Sequence, residues 1–146
     1  MQERNLTIYF TSDLHSYIYP TDYRSQEEKD LGLFKCASQF QKDGNTLVID
    51  GGDLLQGSPL GAFCHDTVGS AAQFAQIMNR CGYDYVTLGN HDFNYGMPYL
   101  DSYLDALRAR CVCENVRWAG GGVRFPARVH VLENGLRIGI VGIVTD

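Results

Sequence analysis

The stretch "TLVIDGGD", residues 46–53, decides the fold. Its apolar run does not alternate with polar residues, and a carboxylate, two glycines and a second carboxylate follow directly. An uninterrupted apolar run is typical of a strand that is buried on both faces, as in a parallel sheet covered by helices. The stretch therefore predicts an internal parallel strand that ends in polar residues.

The flanking segments extend this α/β pattern. Three other runs are predicted as strands: "NLTIYFTSDLH", "YDYVTLGNH" and "CVCENV". Three segments between them have helical periodicity, marked by Leu31, Phe34, Ala37 and Phe40, by Ala71, Phe74, Ala75 and Met78, and by Leu100, Tyr103, Leu104 and Leu107. This alternation predicts a mostly parallel sheet with flanking helices and right-handed crossovers. Near the end, Asn134-Gly135 between two strand-like runs predicts a C-terminal hairpin.

Composition limits the classes of partner. The chain has 146 residues and a net charge of −5, with no run of Lys or Arg, which argues against a polymeric nucleic acid. No segment approaches the ~20 apolar residues of a membrane span, and no signal-peptide core is visible. The five cysteines include no C-x-x-C pair, which favours reduced thiols over a zinc knuckle. We expect a cytoplasmic location, although an exported parent whose leader had been removed would have the same sequence.

Polar residues of the kind that bind metals follow three of the predicted strands. Asp13 and His15 follow the first, Asp53 the second, and Asn90 and His91 the third. The carboxyl ends of parallel strands share one edge of a sheet, and neighbouring strands lie about 4.8 Å apart. If the extended conformation persists to His15, then Asp13 and His15 point the same way. We therefore expect these side chains to converge.

This donor set has a preferred chemistry. Carboxylate and amide oxygens with imidazole suit Mn²⁺, Zn²⁺ or Fe, and a carboxylate can bridge two cations about 3.5–4 Å apart. Taken singly, an Asp after a strand is more often a helix cap, and a lone His more often a hydrogen-bonded residue. Three successive strand ends of this kind instead favour a metal site that acts on phosphate esters.

The segments "DLHSYIYP", "GGDLLQGSP" and "GNHDFNYG", in this order, resemble the first three motifs of the calcineurin-like metallophosphoesterases. More narrowly, they resemble the bacterial 5′-nucleotidase and 2′,3′-cyclic-nucleotide 2′-phosphodiesterase/3′-nucleotidase group. The resemblance implies that Asp13 and His15 bind a first metal, Asp53 bridges two, and Asn90 binds the second. It also implies that His91 is uncoordinated and stabilises the transition state or protonates the leaving alkoxide.

The sequence departs from the family pattern in two respects. Asn94 stands where the 5′-nucleotidase branch has an Asp that orients the histidine, and "FNYG" is similar to the cyclic-phosphodiesterase branch. The family also completes its site with a later "GH-x-H" motif, which is absent. We expect His65 to be a surface or capping residue and His130 a plain strand residue. The resemblance thus implies that residues 1–146 are the N-terminal part of one catalytic domain, half of an αββα sandwich, in a truncated chain.

The predicted function follows from that resemblance. The intact enzyme would hydrolyse small nucleotide phosphate esters with water activated by two divalent ions. In this chain alone, we expect the two metal sites to be partly or wholly unoccupied. Alternatives are a 5′-nucleotidase, a nucleotide-sugar hydrolase, or a non-catalytic module that binds a metal or a partner. The missing second sheet would leave an apolar face uncovered, so we also expect the fragment to self-associate.

Overall fold

A four-stranded parallel sheet forms the centre of the chain. The computed structural model describes residues 4–22, 24–25 and 27–145. Strands β1 (Thr7–Thr11), β2 (Thr46–Asp50), β3 (Tyr85–Val86) and β4 (Arg110–Cys111) lie side by side in that order, and every pair is parallel. The predicted parallel sheet is therefore confirmed, although β3 is much shorter than the apolar run suggested.

Within the described residues, four helices connect these strands. They are α1 (Leu33–Ala37), α2 (Pro59–Phe63), α3 (Ala72–Cys81) and α4 (Met97–Ala106). A π-helical turn, Cys64–Val68, extends α2, and a 3₁₀ turn, Asn90–Phe93, precedes α4. Helix α3 ends at Gly82, whose φ of 79° is the left-handed conformation expected of a glycine at a helix end. Among the described residues, neither α3 nor α4 nor any shorter helix has the length and apolarity to cross a membrane.

Helix α1 is shorter than its periodic pattern predicted. The pattern ran from Leu31 to Phe40, but the helix begins after Gly32, which has a φ of 82°. A side chain at Gly32 would overlap the carbonyl of Tyr19, so this position joins the loop after β1 to the helix by close backbone contact. Tertiary packing, rather than the apolar period, therefore sets where α1 begins.

Two antiparallel hairpins complete the described part of the fold. Strands β7 (Arg128–Val131) and β8 (Arg137–Ile140) pair around the predicted turn, in which Gly135 has a φ of 78°. The prediction of one strand at "CVCENV" was wrong. Strand β4 ends at Cys111, and β5 (Cys113–Arg117) leaves the parallel sheet to pair with β6 (Val123–Phe125). The run of glycines at 120–122 permits that hairpin and was the signal available in the sequence.

The two faces of the parallel sheet are packed differently. On the helix-covered face, α3 and α4 bury a large core that includes Val48, Phe74, Met78, Val86 and Leu100. On the opposite side, which we call the open face, the β7–β8 hairpin covers a smaller cluster of Leu47, Tyr85, Val112, Leu132 and Ile140. Large apolar side chains of β1 and of the segment after β8 stay exposed on this side: Ile8, Phe10, Val141 and Ile143. Val129 and Val131 of β7 are exposed as well.

Candidate metal centre

The structure brings three of the predicted ligands together at the carboxyl edge of the sheet. Asp13, His15 and Asp53 each offer a ligand atom, and these atoms all lie within 4.8 Å of one another. The Nε2 atom of His15 is 3.9 Å from the Oδ1 atom of Asp13. Asp13 is exposed, His15 is half-buried and Asp53 is buried. The group therefore lies at the surface, with Asp53 as its most deeply buried member.

The backbone reaches this arrangement in a way that the sequence did not indicate. The φ angles of Asp13, His15 and Asp53 are 55°, 46° and 58°, and Ser16 is also left-handed. The condition that the strand stays extended to His15 is therefore not met, because β1 ends at Thr11 and the chain then turns. Left-handed conformations of residues other than glycine cost on the order of 1–3 kcal/mol each, and they concentrate at functional sites.

Hydrogen bonds between the loops hold these conformations. The N–H of Asp13 donates to the carbonyl of Gly52 at 3.0 Å, and the N–H of His15 donates to the carbonyl of Asp53 at 2.8 Å. Gly52 has a φ of 94°, and a side chain there would overlap the backbone nitrogen of Gly89. A side chain at Gly89 would in turn overlap the carboxylate of Asp53. The three loops are therefore in direct contact, which requires glycine at both positions.

Asp92 fixes the loop after β2 to the turn after β3. Its Oδ2 atom accepts from the N–H groups of Asp53 and Gly89, each at 2.9 Å. Its Oδ1 atom accepts from the N–H groups of Leu54 at 2.9 Å and Leu55 at 3.0 Å. Burial raises the pKa of Asp92, and the N–H donors oppose that rise. The sequence pattern assigned this residue no role; its signal was an acidic residue three positions after the start of a turn.

His91 lies beside Asp53 on that turn, and Asn90 precedes it in the chain. The N–H of His91 donates to the Oδ1 atom of Asp53 at 2.8 Å, and the rings of His91 and His15 are 5.3 Å apart. Asn90 is exposed and directly follows Gly89, which packs against Asp53. The predicted roles of Asn90 as a ligand and of His91 as an uncoordinated catalyst stay predictions.

Gln56 contacts both histidines of the site. Its main-chain carbonyl oxygen is 2.7 Å from His15 Nδ1, and its side-chain Oε1 is 3.1 Å from His91 Nδ1. Asn94 donates from Nδ2 to the same Oε1 at 2.6 Å, and this Nδ2 also lies 2.9 Å from His91 Nδ1. The sequence motifs assigned no role to Gln56, whose only signal was its place between Asp53 and the glycine of "LLQG".

A second buried carboxyl group, Asp50, lies under the site at the end of β2. It is 1% exposed, accepts from Thr11 Oγ1 at 2.5 Å, and accepts from the N–H of Gly52 at 3.0 Å. Burial raises its pKa to about 7, and the nearby charges of Asp92 and Asp13 add to that rise. The hydroxyl of Tyr83 continues the network, 2.7 Å from Thr11 Oγ1. Asp50 thus supports the Gly51–Gly52 turn from below.

The other two histidines lie elsewhere. His130 is in β7 and contacts the hydroxyl of Tyr85 at 3.1 Å, which confirms it as a strand residue. His65 is in the π-helical turn after α2, and its ring stacks on Tyr95 with the centroids 4.0 Å apart. His65 is only partly exposed, so it is a packed residue rather than a fully exposed surface residue. Within the described ranges, neither histidine is part of a group that could hold a metal ion.

The residues of the group fit a divalent cation. Two carboxylates and one imidazole offer the hard oxygens and nitrogen that suit Mn²⁺, Zn²⁺ or Fe. The Nδ1 atom of His15 is in contact with the carbonyl of Gln56, which leaves Nε2 as the nitrogen available to a cation. Such a contact to the second ring nitrogen is the usual way in which proteins orient a ligand histidine.

Comparison with known proteins identifies the class. The model of the calcineurin-like phosphoesterase family matches residues 6–142, so the chain belongs to that family. The chain is 35% identical to the trifunctional nucleotide phosphoesterase protein YfkN of Bacillus subtilis, a match that covers 96% of the chain and 11% of the relative. The crystal structure of YfkN superposes with a TM-score of 0.76 and 33% identity, over 95% of the chain and 48% of that structure.

Two further relatives differ in the activity that their names state. The 2′,3′-cyclic-nucleotide 2′-phosphodiesterase/3′-nucleotidase of Yersinia enterocolitica is 34% identical over 77% of the chain and 18% of the relative. The 5′-nucleotidase of Rattus norvegicus is 31% identical over 94% of the chain and 26% of the relative. The chain therefore spans between about a tenth and a quarter of the length of these relatives. The family implies divalent metal ions, and the Asp13–His15–Asp53 group fits them.

Proposed function

We propose that this chain supplies part of the active site of a metal-dependent hydrolase of nucleotide phosphate esters, of the 2′,3′-cyclic-nucleotide phosphodiesterase and 3′-nucleotidase type. The observation that carries the proposal is the convergence of Asp13, His15 and Asp53 within 4.8 Å at the carboxyl edge of the sheet. Family membership and the names of the relatives support the class of substrate. In this proposal, residues 1–146 form the N-terminal part of one catalytic domain.

Each residue has a specific role in the proposal. Asp13, His15, Asp53 and Asn90 would hold the cations: Asp13 and His15 a first, Asn90 a second, and Asp53 both. When bound, divalent cations of this kind supply positive charge to phosphate oxygens and lower the pKa of water. Water loses a proton as it adds to phosphorus, and the bond from phosphorus to the leaving oxygen breaks. His91 gives its proton to that oxygen and takes up the proton that the water released. Asp92 and the left-handed loops hold Asp53 in place during these steps.

A 5′-nucleotidase is the second candidate function. The identity to the rat enzyme, which extends over 94% of the chain, favours it. Asn94 favours the cyclic-phosphodiesterase type, because the carboxylate that would orient a histidine in the 5′-nucleotidase branch is an amide here. The two functions differ in which ester bond is broken, so products from 2′,3′-cyclic AMP, 3′-AMP and 5′-AMP separate them.

The first test measures cation binding by the 146-residue chain. We expect Mn²⁺ binding by isothermal titration calorimetry, and we expect Asp53→Asn and His15→Ala each to weaken it at least about 10-fold because each removes a direct ligand. Asp66→Asn is the matched control, because Asp66 is exposed and contacts only His65 among the interactions described. Equal affinity in the two site variants and the wild type would remove the basis of the proposal.

The second test measures activity. We expect the longest reading frame that contains this chain to cleave 2′,3′-cyclic AMP and 3′-AMP faster than 5′-AMP, and to lose activity with a chelator. The 146-residue chain alone should turn over little bis(p-nitrophenyl) phosphate with Mn²⁺, because it lacks a "GH-x-H" motif. Preference for 5′-AMP would favour the second candidate function, and no hydrolysis of any nucleotide by the longer protein would favour a non-catalytic module.

A further inference from the structure

The side chains of Gln56 and Asn94 meet at one ring nitrogen of His91. Gln56 Oε1 is 3.1 Å from His91 Nδ1, and Asn94 Nδ2 is 2.9 Å from the same atom. The two amides also bond to each other, because Asn94 Nδ2 donates to Gln56 Oε1 at 2.6 Å. The three side chains form a closed triangle beside the Asp13–His15–Asp53 group. We call the two amides the Gln56–Asn94 clamp.

The clamp presents one donor and one acceptor to the same atom. An amide oxygen can only accept a hydrogen bond, and an amide NH₂ group can only donate. When His91 Nδ1 carries a proton, it can donate to Gln56 Oε1; when it carries a lone pair, it can accept from Asn94 Nδ2. A carboxylate in this position could satisfy only the first state. The clamp can therefore hold the ring in one orientation whichever nitrogen carries the proton.

The same contacts leave the other ring nitrogen available. Within the described part of the chain, His91 Nε2 makes no hydrogen bond, and the His15 ring lies 5.3 Å away, edge-on. Gln56 is only half-buried and Asn94 is exposed, and neither belongs to the apolar core. Their side-chain contacts are thus directed at His91 and add little to the packing of the fold.

We infer that Gln56 is a positioning residue: together with Asn94 it fixes the imidazole of His91 so that Nε2 faces the reacting phosphate ester. The inference rests on the proposed function in one respect, namely that His91 transfers a proton or donates a hydrogen bond there. The main-chain carbonyl of Gln56 separately orients His15. Removal of the Gln56 side chain should therefore disturb His91 and leave His15 in place.

A spectroscopic test does not depend on activity. The chain has four histidines, so NMR of isotope-labelled imidazoles gives four sets of ring signals, which single His substitutions assign. In the chain loaded with diamagnetic Zn²⁺, we expect Gln56→Ala and Asn94→Ala each to shift and broaden the His91 signals. The signals of His15, His65 and His130 should stay unchanged. Gln76→Ala on helix α3 is the matched control, because Gln76 is exposed and distant in sequence from the clamp.

A kinetic test uses the longest reading frame that contains the chain. Loss of an orienting partner typically costs about 10- to 100-fold in activity. We expect a fall of that size in kcat for Gln56→Ala with 3′-AMP, whose leaving alkoxide needs a proton. With bis(p-nitrophenyl) phosphate, whose leaving group is stable as an anion, the fall should be about 3-fold or less. Gln56→Glu keeps an acceptor oxygen and should recover most of the loss relative to Gln56→Ala.

Three results would overturn the inference. One is a His91 spectrum that neither amide substitution changes. Another is a change in the His15 signals or in Zn²⁺ affinity as large as the change at His91, which would make Gln56 a structural support of the whole loop. The last is an equal loss of kcat with both leaving groups. If the wild type cleaves no nucleotide, the proposed function fails, and the spectra still decide whether the clamp orients His91.

Discussion

The two faces of the parallel sheet have opposite environments, although the same strands form both. On the helix-covered face, Val48 and Val86 are fully buried beneath α3 and α4. On the open face, Ile8 and Phe10 of β1 are 49% and 65% exposed, although they alternate with residues that pack inward. The difference shows that the described residues bury the helix side of β2 and β3 and leave the open face of β1 largely exposed.

The candidate metal centre depends on the helix-covered side. Leu54 and Leu55 follow Asp53 directly and are buried in the core beneath α3 and α4. Their N–H groups donate to Asp92, so the core and the carboxylate together fix the left-handed conformation of Asp53. Strained backbone conformations persist only where the surrounding structure determines them fully. The helix-covered face of the sheet therefore supports the candidate metal centre.

The largest expected effect on the free energy of unfolding comes from a comparison of one phenylalanine on each face. Phe74 is 1% exposed and Phe10 is 65% exposed. Phe74→Ala should lower the free energy of unfolding by about 3–5 kcal/mol, because it removes a buried ring and leaves a cavity. Phe10→Ala should change it by no more than about 0.5 kcal/mol. Urea unfolding at a protein concentration too low for self-association measures both, and similar losses would mean that Phe10 is packed within the monomer.

The next effect concerns the carboxylate that joins the loops. Asp92→Asn replaces one acceptor oxygen with an NH₂ group, which then faces two backbone N–H donors. We expect the free energy of unfolding to fall by about 2–4 kcal/mol, because buried donors lose their partner. Asp105→Asn, at an exposed position of α4, is the control and should change it by about 0.5 kcal/mol or less. Equal stability of the two variants would show that the four hydrogen bonds do not hold the loops.

A smaller effect appears in the dependence of stability on pH. Burial raises the pKa of Asp50 from 3.8 to about 7, so the folded protein keeps a proton that the unfolded chain loses. This contribution to stability is complete below the unfolded value and is lost as the pH rises through the folded value. The free energy of unfolding should therefore decline between about pH 4 and pH 7.

Asp50→Asn tests that sign. The amide resembles the protonated carboxyl group, and the hydroxyls of Thr11 and Tyr83 can reverse their hydrogen bonds to suit it. We expect the free energy of unfolding of the variant to equal that of the wild type at about pH 5. At about pH 8 it should be higher than that of the wild type by about 1–3 kcal/mol. Urea unfolding with a chelator present measures this. If the decline with pH is as steep in the variant, another group causes it.

The sequence predicted the parts of the fold that local patterns determine. The apolar run before Asp53, the glycine that ends α3 and the Asn134-Gly135 turn each have a local physical cause, and the structure contains all three features. The convergence of Asp13, His15 and Asp53 was predictable for a similar reason. Parallel strands place their carboxyl ends along one edge whatever the details of the loops.

Contacts between distant segments were not predictable. The left-handed conformations of Asp13 and His15 depend on hydrogen bonds to the loop after β2, about forty residues away in sequence. The contact of Gln56 with His91 likewise joins two loops that no periodicity relates. The departure of β5 from the sheet depends on its pairing with β6. Such features follow from three-dimensional packing, which a single sequence does not encode locally.

Self-association is expected to change stability least, and it tests the open face most directly. Within the described chain, β1 pairs on one side only, and its exposed Phe10 lies near Val141 and Ile143 in one cleft. Apolar patches larger than a few hundred Å² rarely stay exposed on monomers, so we expect the chain to associate at micromolar concentration. Phe10→Ser should shift light scattering toward the monomer, whereas Phe63→Ser, equally apolar and 57% exposed on α2, should not. A monomeric wild type would contradict this expectation, and an equal shift in both variants would locate the association away from the open face.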